Sequence, residues 1–194
     1  MHRVPSLALI GLMVAVLSLV AVPPASLADV AGVPSGVSQA RAQELDDSPE
    51  LSLSEPRPTA TEQALLDLTN ADRQANGLAP LAFDPATLEI ARARASTQLR
   101  LPSLSHLDGQ GRLAFVQLLG QLGVQYRLAG ENLARSTSTS SDQGLMARVE
   151  EALMRSPTHR QNILEATFTR LAVGVATDQD GRVAFAQIFR ATDS

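Results

Sequence analysis

Residues 171–189, LAVGVATDQDGRVAFAQIF, decide the fold class of this chain. Leu171, Val173 and Val175 alternate with small residues, and Val183, Phe185 and Phe189 fall at the same period beyond Asp178-Gln179-Asp180-Gly181. A period of two puts the large apolar side chains on one face, and an Asp/Gly-rich spacer supplies turn chemistry, so the stretch reads as an antiparallel hairpin with one face in a core.

Working back from the hairpin, the pattern turns helical. Thr59-Ala60-Thr61-Glu62 has the spacing of a capping box, followed by Leu65, Leu68, Asp72 and Ala75, and Asn76-Gly77 stops that helix. Leu81 and Phe83 alternate briefly. Asp84-Pro85 supplies an N-cap and a first-turn proline for a second helix carrying Leu88, Ala91, Ala95 and Leu99 on one face. A third helix is predicted from about Gly111 to Leu122 on Leu113, Val116, Leu119 and Leu122, with Gly123 closing it. Tyr126 to Ala134 reads as extended, and Ser136 to Ser141 as a polar loop. Asp142 caps a fourth helix with Leu145, Val149 and Leu153, and Ser156-Pro157 opens a short one through Leu164. Helices followed by a terminal hairpin predict an α+β domain, its helices packed over a small antiparallel sheet.

The N-terminal third is different. Met1-His2-Arg3 precedes an apolar run from Leu7 to Val22, Pro23-Pro24 breaks it, and Ser26-Leu27-Ala28 places small residues where a signal peptidase cuts. Residues 1–28 are therefore read as a signal peptide, with an uncleaved membrane anchor as the alternative, and the protein as secreted or held at the cell surface. Residues 29–58 carry six acids against two arginines, are rich in Ser and Pro, and show no apolar period, so they are expected to form a disordered linker. The folded domain then occupies 59–194. With no cysteine there is no disulfide framework and no thiolate metal site, so this domain rests on its apolar core. Net charge is −4 and no basic face is visible, which argues against a nucleic-acid partner.

Only His106 and His159 remain after removal of a signal peptide, each in a loop-like context. Imidazole offers a neutral nitrogen ligand and a proton acceptor. Fifty-three positions separate the pair, so only the fold can bring them together, and two surface or capping histidines are the plain alternative. Glu131, in Gly130-Glu131-Asn132-Leu133-Ala134, follows a glycine within an apolar stretch; its carboxylate is expected to leave the core face where another backbone comes close. There it could join a metal shell, orient a histidine, or be an ordinary strand-end glutamate.

These residues also carry a resemblance. Leu65 to Arg73 with Gly77-Leu78-Ala79-Pro80-Leu81, then Ser105-His106 with Asp108-Gly109, Gly130 to Ala134, Ser156-Pro157-Thr158-His159-Arg160-Gln161-Asn162-Ile163-Leu164, Phe168 to Ala176 and Ala186-Gln187-Ile188-Phe189 follow one another in a family's order. Over about residues 61–190 the chain resembles the CAP superfamily of cysteine-rich secretory, antigen-five and pathogenesis-related-one proteins, in its bacterial SCP-like form. The resemblance implies an α-β-α sandwich with a shallow cleft, into which His106, Glu131 and His159 face, with His106 and His159 as ligands of a divalent cation such as Zn. The family's second cleft glutamate would fall near Ser156, which cannot replace it; Glu150 and Glu151 lie a turn or more upstream. Leu153 stands where a Trp is common.

Three functions are compatible with these residues. A non-enzymatic extracellular module would bind a small lipid-like ligand or a cell-envelope component at the cleft. A metal-dependent hydrolase would use the same cleft with Glu131 as general base. A structural surface domain would carry a degenerate site. The resemblance favours the first, and leaves the ligand open. Limited proteolysis of the mature chain is expected to cut within 29–58 and leave a folded core beginning near residue 59; slow amide exchange across 29–58 would contradict a disordered linker.

Overall fold

The computed structural model describes residues 56–136 and 143–192. The expected signal peptide, nearly all of the linker, most of the polar loop and the Asp142 cap lie outside the described residues. The elements are α1 (Ala60–Ala75), β1 (Ala82–Phe83), a 3-10 turn (Pro85–Thr87), α2 (Leu88–Arg100), α3 (Ala114–Gln121), β2 (Leu128–Ser136), α4 (Gln143–Arg155), α5 (Pro157–Ile163), β3 (Arg170–Thr177) and β4 (Val183–Ala191).

Local chemistry accounts for most boundaries. Thr59 and Glu62 form both halves of the capping box, and Gly77 takes the positive φ of 76° that follows the end of α1. Arg73, buried in the last turn of α1, donates to the carbonyls of Ala79, Ile163 and Glu165 and so caps the end of α5 as well. Asp84 precedes the 3-10 turn as expected, but its carboxylate makes no capping bond. It forks instead onto Arg190 at 2.6 and 2.7 Å, a buried pair that ties the start of α2 to β4. In α3 the buried residues are Phe115 and Leu119, whereas Leu122 is among the most exposed large apolar side chains. The expected stripe therefore holds at Leu119 and fails at Leu122, which lies just past the last turn and has no layer to pack against.

The sheet order is β1-β3-β4-β2. The hairpin β3–β4 pairs antiparallel as expected, from Leu171↔Phe189 to Thr177↔Val183. The sheet is mixed rather than purely antiparallel, because the two-residue β1 runs parallel to β3. β2 pairs with β4 along its whole length and is an edge strand.

Both faces of the sheet are covered. Leu171, Val173, Val183, Phe185 and Phe189 meet Leu65 and Leu66 of α1, Leu145, Met146, Val149 and Leu153 of α4, and Ile163 of α5. Ala172, Ile188 and Ala129 on the other face meet Leu88, Ile90 and Ala91 of α2 and Phe115 and Leu119 of α3. The result is an α-β-α sandwich. No helix among the described residues is long and apolar enough to cross a membrane.

The second face is built from small residues because α2 lies almost on the strands. A Cβ added at Gly174 would stand 2.1 Å from the carbonyl carbon of Ala91, whereas one added at Gly120 would meet nothing within 4 Å. Gly174→Ala is therefore expected to destabilise the domain by about 3 kcal/mol or more, since backbone must move. Gly120→Ala, on an exposed helix position, should leave it unchanged or raise it by up to ~1 kcal/mol. Paired thermal melts check this; equal melting temperatures would show that α2 does not sit this close.

Candidate functional site

Successive residues of β2 deliver the site to both layers. Glu131 points to the α2 face and Asn132 to the α5 face, as the neighbours of each show. Arg94 of α2 donates from Nε to Glu131 Oε1 at 2.6 Å and from Nη2 to Oε2 at 3.2 Å. His106, in the loop after α2, places Nδ1 2.7 Å from Glu131 Oε2. On the other face, Asn132 Nδ2 donates to the His159 carbonyl at 3.1 Å and to Gln187 Oε1 at 2.9 Å. Asn162 Nδ2 donates to Asn132 Oδ1 at 2.9 Å and to the Glu131 carbonyl at 3.2 Å.

Glu131 does not leave the core: it, His106 and His159 expose only 3%, 5% and 2% of their surface. The open cleft that the resemblance implies is, at these three side chains, a buried cluster. Nor does backbone crowd Gly130. Its nearest neighbours are side chains, Phe168 Cζ at 3.1 Å and Asn162 Oδ1 at 3.2 Å from where a Cβ would stand.

The two histidines lie close enough to feel each other. Burial, and then the electrostatic influence of the neighbouring His106, lowers the pKa of His159 to about 4, so its imidazole is neutral at physiological pH. Among the described residues, His106 Nε2 and both ring nitrogens of His159 are buried without a hydrogen-bond partner. Buried polar nitrogens ordinarily have a partner, so these three are available to a ligand or to water. Neutral imidazole nitrogens suit a divalent transition metal, so the donor chemistry of His106 and His159 fits one. No group of three or more His, Cys, Asp or Glu among the described residues is arranged to hold a metal. Any shell there is a two-histidine one, completed by water or by a bound molecule.

Glu131 is not placed as a free ligand or base, because Arg94 and His106 occupy both of its oxygens. Ser105 Oγ closes a local turn, donating to the Leu107 carbonyl at 3.1 Å. Ser156 stands at the N-cap position of α5 without a side-chain capping bond, its Oγ 3.4 Å from Thr158 Oγ1.

Sequence reasoning assigns no site role to Arg94, Asn132, Asn162, Gln187 or Glu150, yet three of them leave a trace. Arg94 stands one turn beyond Ala91 on the buried side of α2, Glu150 one turn beyond Met146 on that of α4, and Gln187 between Phe185 and Phe189 on the core face of β4. A polar group on an apolar stripe needs a partner. Gln187 Nε2 donates to Thr69 Oγ1 at 2.8 Å and to Glu150 Oε2 at 3.2 Å, so one chain of bonds runs from α4 through β4 and β2 to His159.

Glu150 is nearly fully buried, and burial, with the charge of Asp72 beside it, pushes its carboxyl up to about 8. The folded state thus keeps a proton that the unfolded chain releases near 4.5. Because the folded state binds more protons between those values, stability is full below the lower one and is lost as pH rises through the upper one. Glu150→Gln is expected to flatten that alkaline decline in melting temperature measured from about pH 5 to 9. An unchanged slope would show that Glu150 ionises freely.

The similarities agree with this fold. Residues 66–189 match the CAP family, described as the cysteine-rich secretory protein family. The chain is 34% identical over 116 residues to the uncharacterized protein YkwD of Bacillus subtilis (strain 168), covering 60% of this chain and 42% of YkwD. It is 31% identical over 118 residues to the uncharacterized membrane protein YlbC of the same organism, covering 60% of this chain and 32% of YlbC. The chain therefore spans less than half the length of these curated relatives. An extracellular protein containing an SCP domain from Bacillus anthracis str. Ames superposes with a TM-score of 0.56 at 30% identity, over 68% of this chain and 40% of that one. An outer surface protein of Borrelia burgdorferi, at 16% identity and a TM-score of 0.56 over 69% of this chain and 93% of that one, shares the fold. The chain belongs to the CAP family.

Proposed function

We propose that this CAP domain is a secreted, non-enzymatic binding module in which His106 and His159 hold a divalent cation and present it to a small or lipid-like ligand or a cell-envelope group. The observation that carries this reading is the set of three buried imidazole nitrogens without partners, contributed by two histidines fifty-three positions apart. A cation held there would supply a fixed positive charge able to take an oxygen of the ligand into its shell. The residues do the rest: Asn132 holds the backbone of His159 through its carbonyl, and Glu131 holds the ring of His106.

The hydrolase alternative asks Glu131 to accept a proton as general base, and its two oxygens are already engaged by Arg94 and His106. That engagement favours binding over catalysis. Secretion is supported by the N-terminal apolar run and by the extracellular and outer-surface placement of similar proteins.

The purified domain is expected to take up about one equivalent of Zn²⁺ in a calorimetric titration, and saturation at ~100 times Kd should add about 2.7 kcal/mol to stability. His106→Ala and His159→Ala should each abolish the uptake while the protein still melts cooperatively. Uptake that survives both substitutions, or none in the parent, would refute the two-histidine site.

A further inference from the structure

Arg94 does more than neutralise a buried charge. Its side chain is 3% exposed and that of Glu131 1%, and the guanidinium makes three bonds that converge on His106. Nε and Nη2 donate to the two Glu131 oxygens at 2.6 and 3.2 Å, and Nη2 also donates to the carbonyl of Ser105 at 2.6 Å. Ser105 directly precedes His106, so one planar group fixes both the carboxylate that meets the ring and the backbone that carries it. Gln98, one turn further along α2, clamps the same residue, accepting from its N–H at 2.9 Å and donating to its carbonyl at 3.0 Å.

The consequence is a choice of tautomer. A carboxylate receiving two guanidinium N–H groups has only acceptor capacity left for a third neighbour. The hydrogen in the 2.7 Å contact between Glu131 Oε2 and His106 Nδ1 therefore sits on nitrogen. In a neutral ring Nε2 is then bare, and it is the nitrogen that is buried without a partner among the described residues.

We propose that Arg94 is a positioning residue for the histidine pair: it holds Glu131 so that His106 is locked as the Nδ1–H tautomer with the Nε2 lone pair turned to the site. This rests on the two-histidine reading only for what the lone pair serves; the tautomer itself exists without metal. A carboxylate on the far nitrogen also raises the basicity of the near one. Lysine at this position would bring a point charge but no fork able to span two carboxylate oxygens and a carbonyl.

The test is a long-range ¹H–¹⁵N correlation of the imidazoles in the metal-free protein, joined to a titration with Zn²⁺ alone. In the parent, His106 should show a protonated Nδ1 and a bare Nε2. Arg94→Lys should give mixed tautomers and weaken Zn²⁺ binding about 10–100-fold. Because Arg94→Lys can destabilise the fold, the double variant Arg94→Met/Glu131→Gln removes both charges together, leaving no unpaired ion. It too should lose the fixed tautomer and the affinity while still melting cooperatively. A parent His106 carrying its hydrogen on Nε2, or either variant keeping the Nδ1–H form and parental affinity, would overturn the proposal. A parent that shows the tautomer but takes up no Zn²⁺ would sustain the role of Arg94 and sink the metal reading instead.

Discussion

Neighbouring side chains of a strand leave opposite faces of its sheet, and at Glu131 and Asn132 that alternation ties two helical layers to one edge. Glu131 gathers Arg94 from α2 and His106 from the loop after it; Asn132 gathers Asn162 and the His159 backbone from α5. Were β2 an interior strand, the two groups would be separated by the thickness of the sheet. β2 is an edge strand, paired only with β4, and His106 and His159 lie near enough to influence each other electrostatically. The same arrangement protects that edge. Asn162 donates to the outward-facing carbonyl of Glu131, so α5 covers backbone that would otherwise invite another strand.

The arrangement requires charge in the interior, which a domain without disulfides must offset by packing. Arg94–Glu131 and Arg190–Asp84 are both buried and both forked. Such pairs contribute little net stability against an apolar replacement, but breaking one side costs about 3–5 kcal/mol because the other charge is left unpaired. They act as registers. Arg190–Asp84 sets where α2 begins relative to β4, and Arg94–Glu131 sets where α2 lies along β2. Between these two pins the small residues Gly174, Ala172 and Ala184 let the helix approach to backbone contact, so its position is fixed by both charge geometry and shape.

A second set of buried polar groups serves the other layer without charge. Thr69, Gln187, Asn132 and Asn162 form a continuous path from α1 and α4 to α5, and Glu150, its carboxyl pushed up to about 8 by burial, joins it. A path of this kind specifies a single arrangement, because each amide must present its oxygen and nitrogen the right way round to satisfy its neighbours. α5 is only seven residues long, too short to hold itself. Its orientation, and that of His159 upon it, comes from these bonds and from Ile163 in the core.

Local rules acting within a few residues made much of the fold legible in the sequence alone. The capping box at Thr59 and Glu62, the turn at Asn76-Gly77, the proline at the start of α5 and the strict alternation of the β3–β4 hairpin each state their structure through chemistry that needs no distant partner. The ordered motifs around His106, Glu131 and His159 pointed to those residues, and no more. Tertiary structure alone decided that β1 would run parallel to β3, since two residues carry no directional signal. It decided that Phe115 and Leu119 of α3 are buried against α2 while Leu122 stays exposed. It also decided that Glu131 is bound rather than free. The partner that binds it, Arg94, lies thirty-seven positions away on another element, and a charge on a helix stripe shows that it needs a partner without showing which one the folded chain will bring.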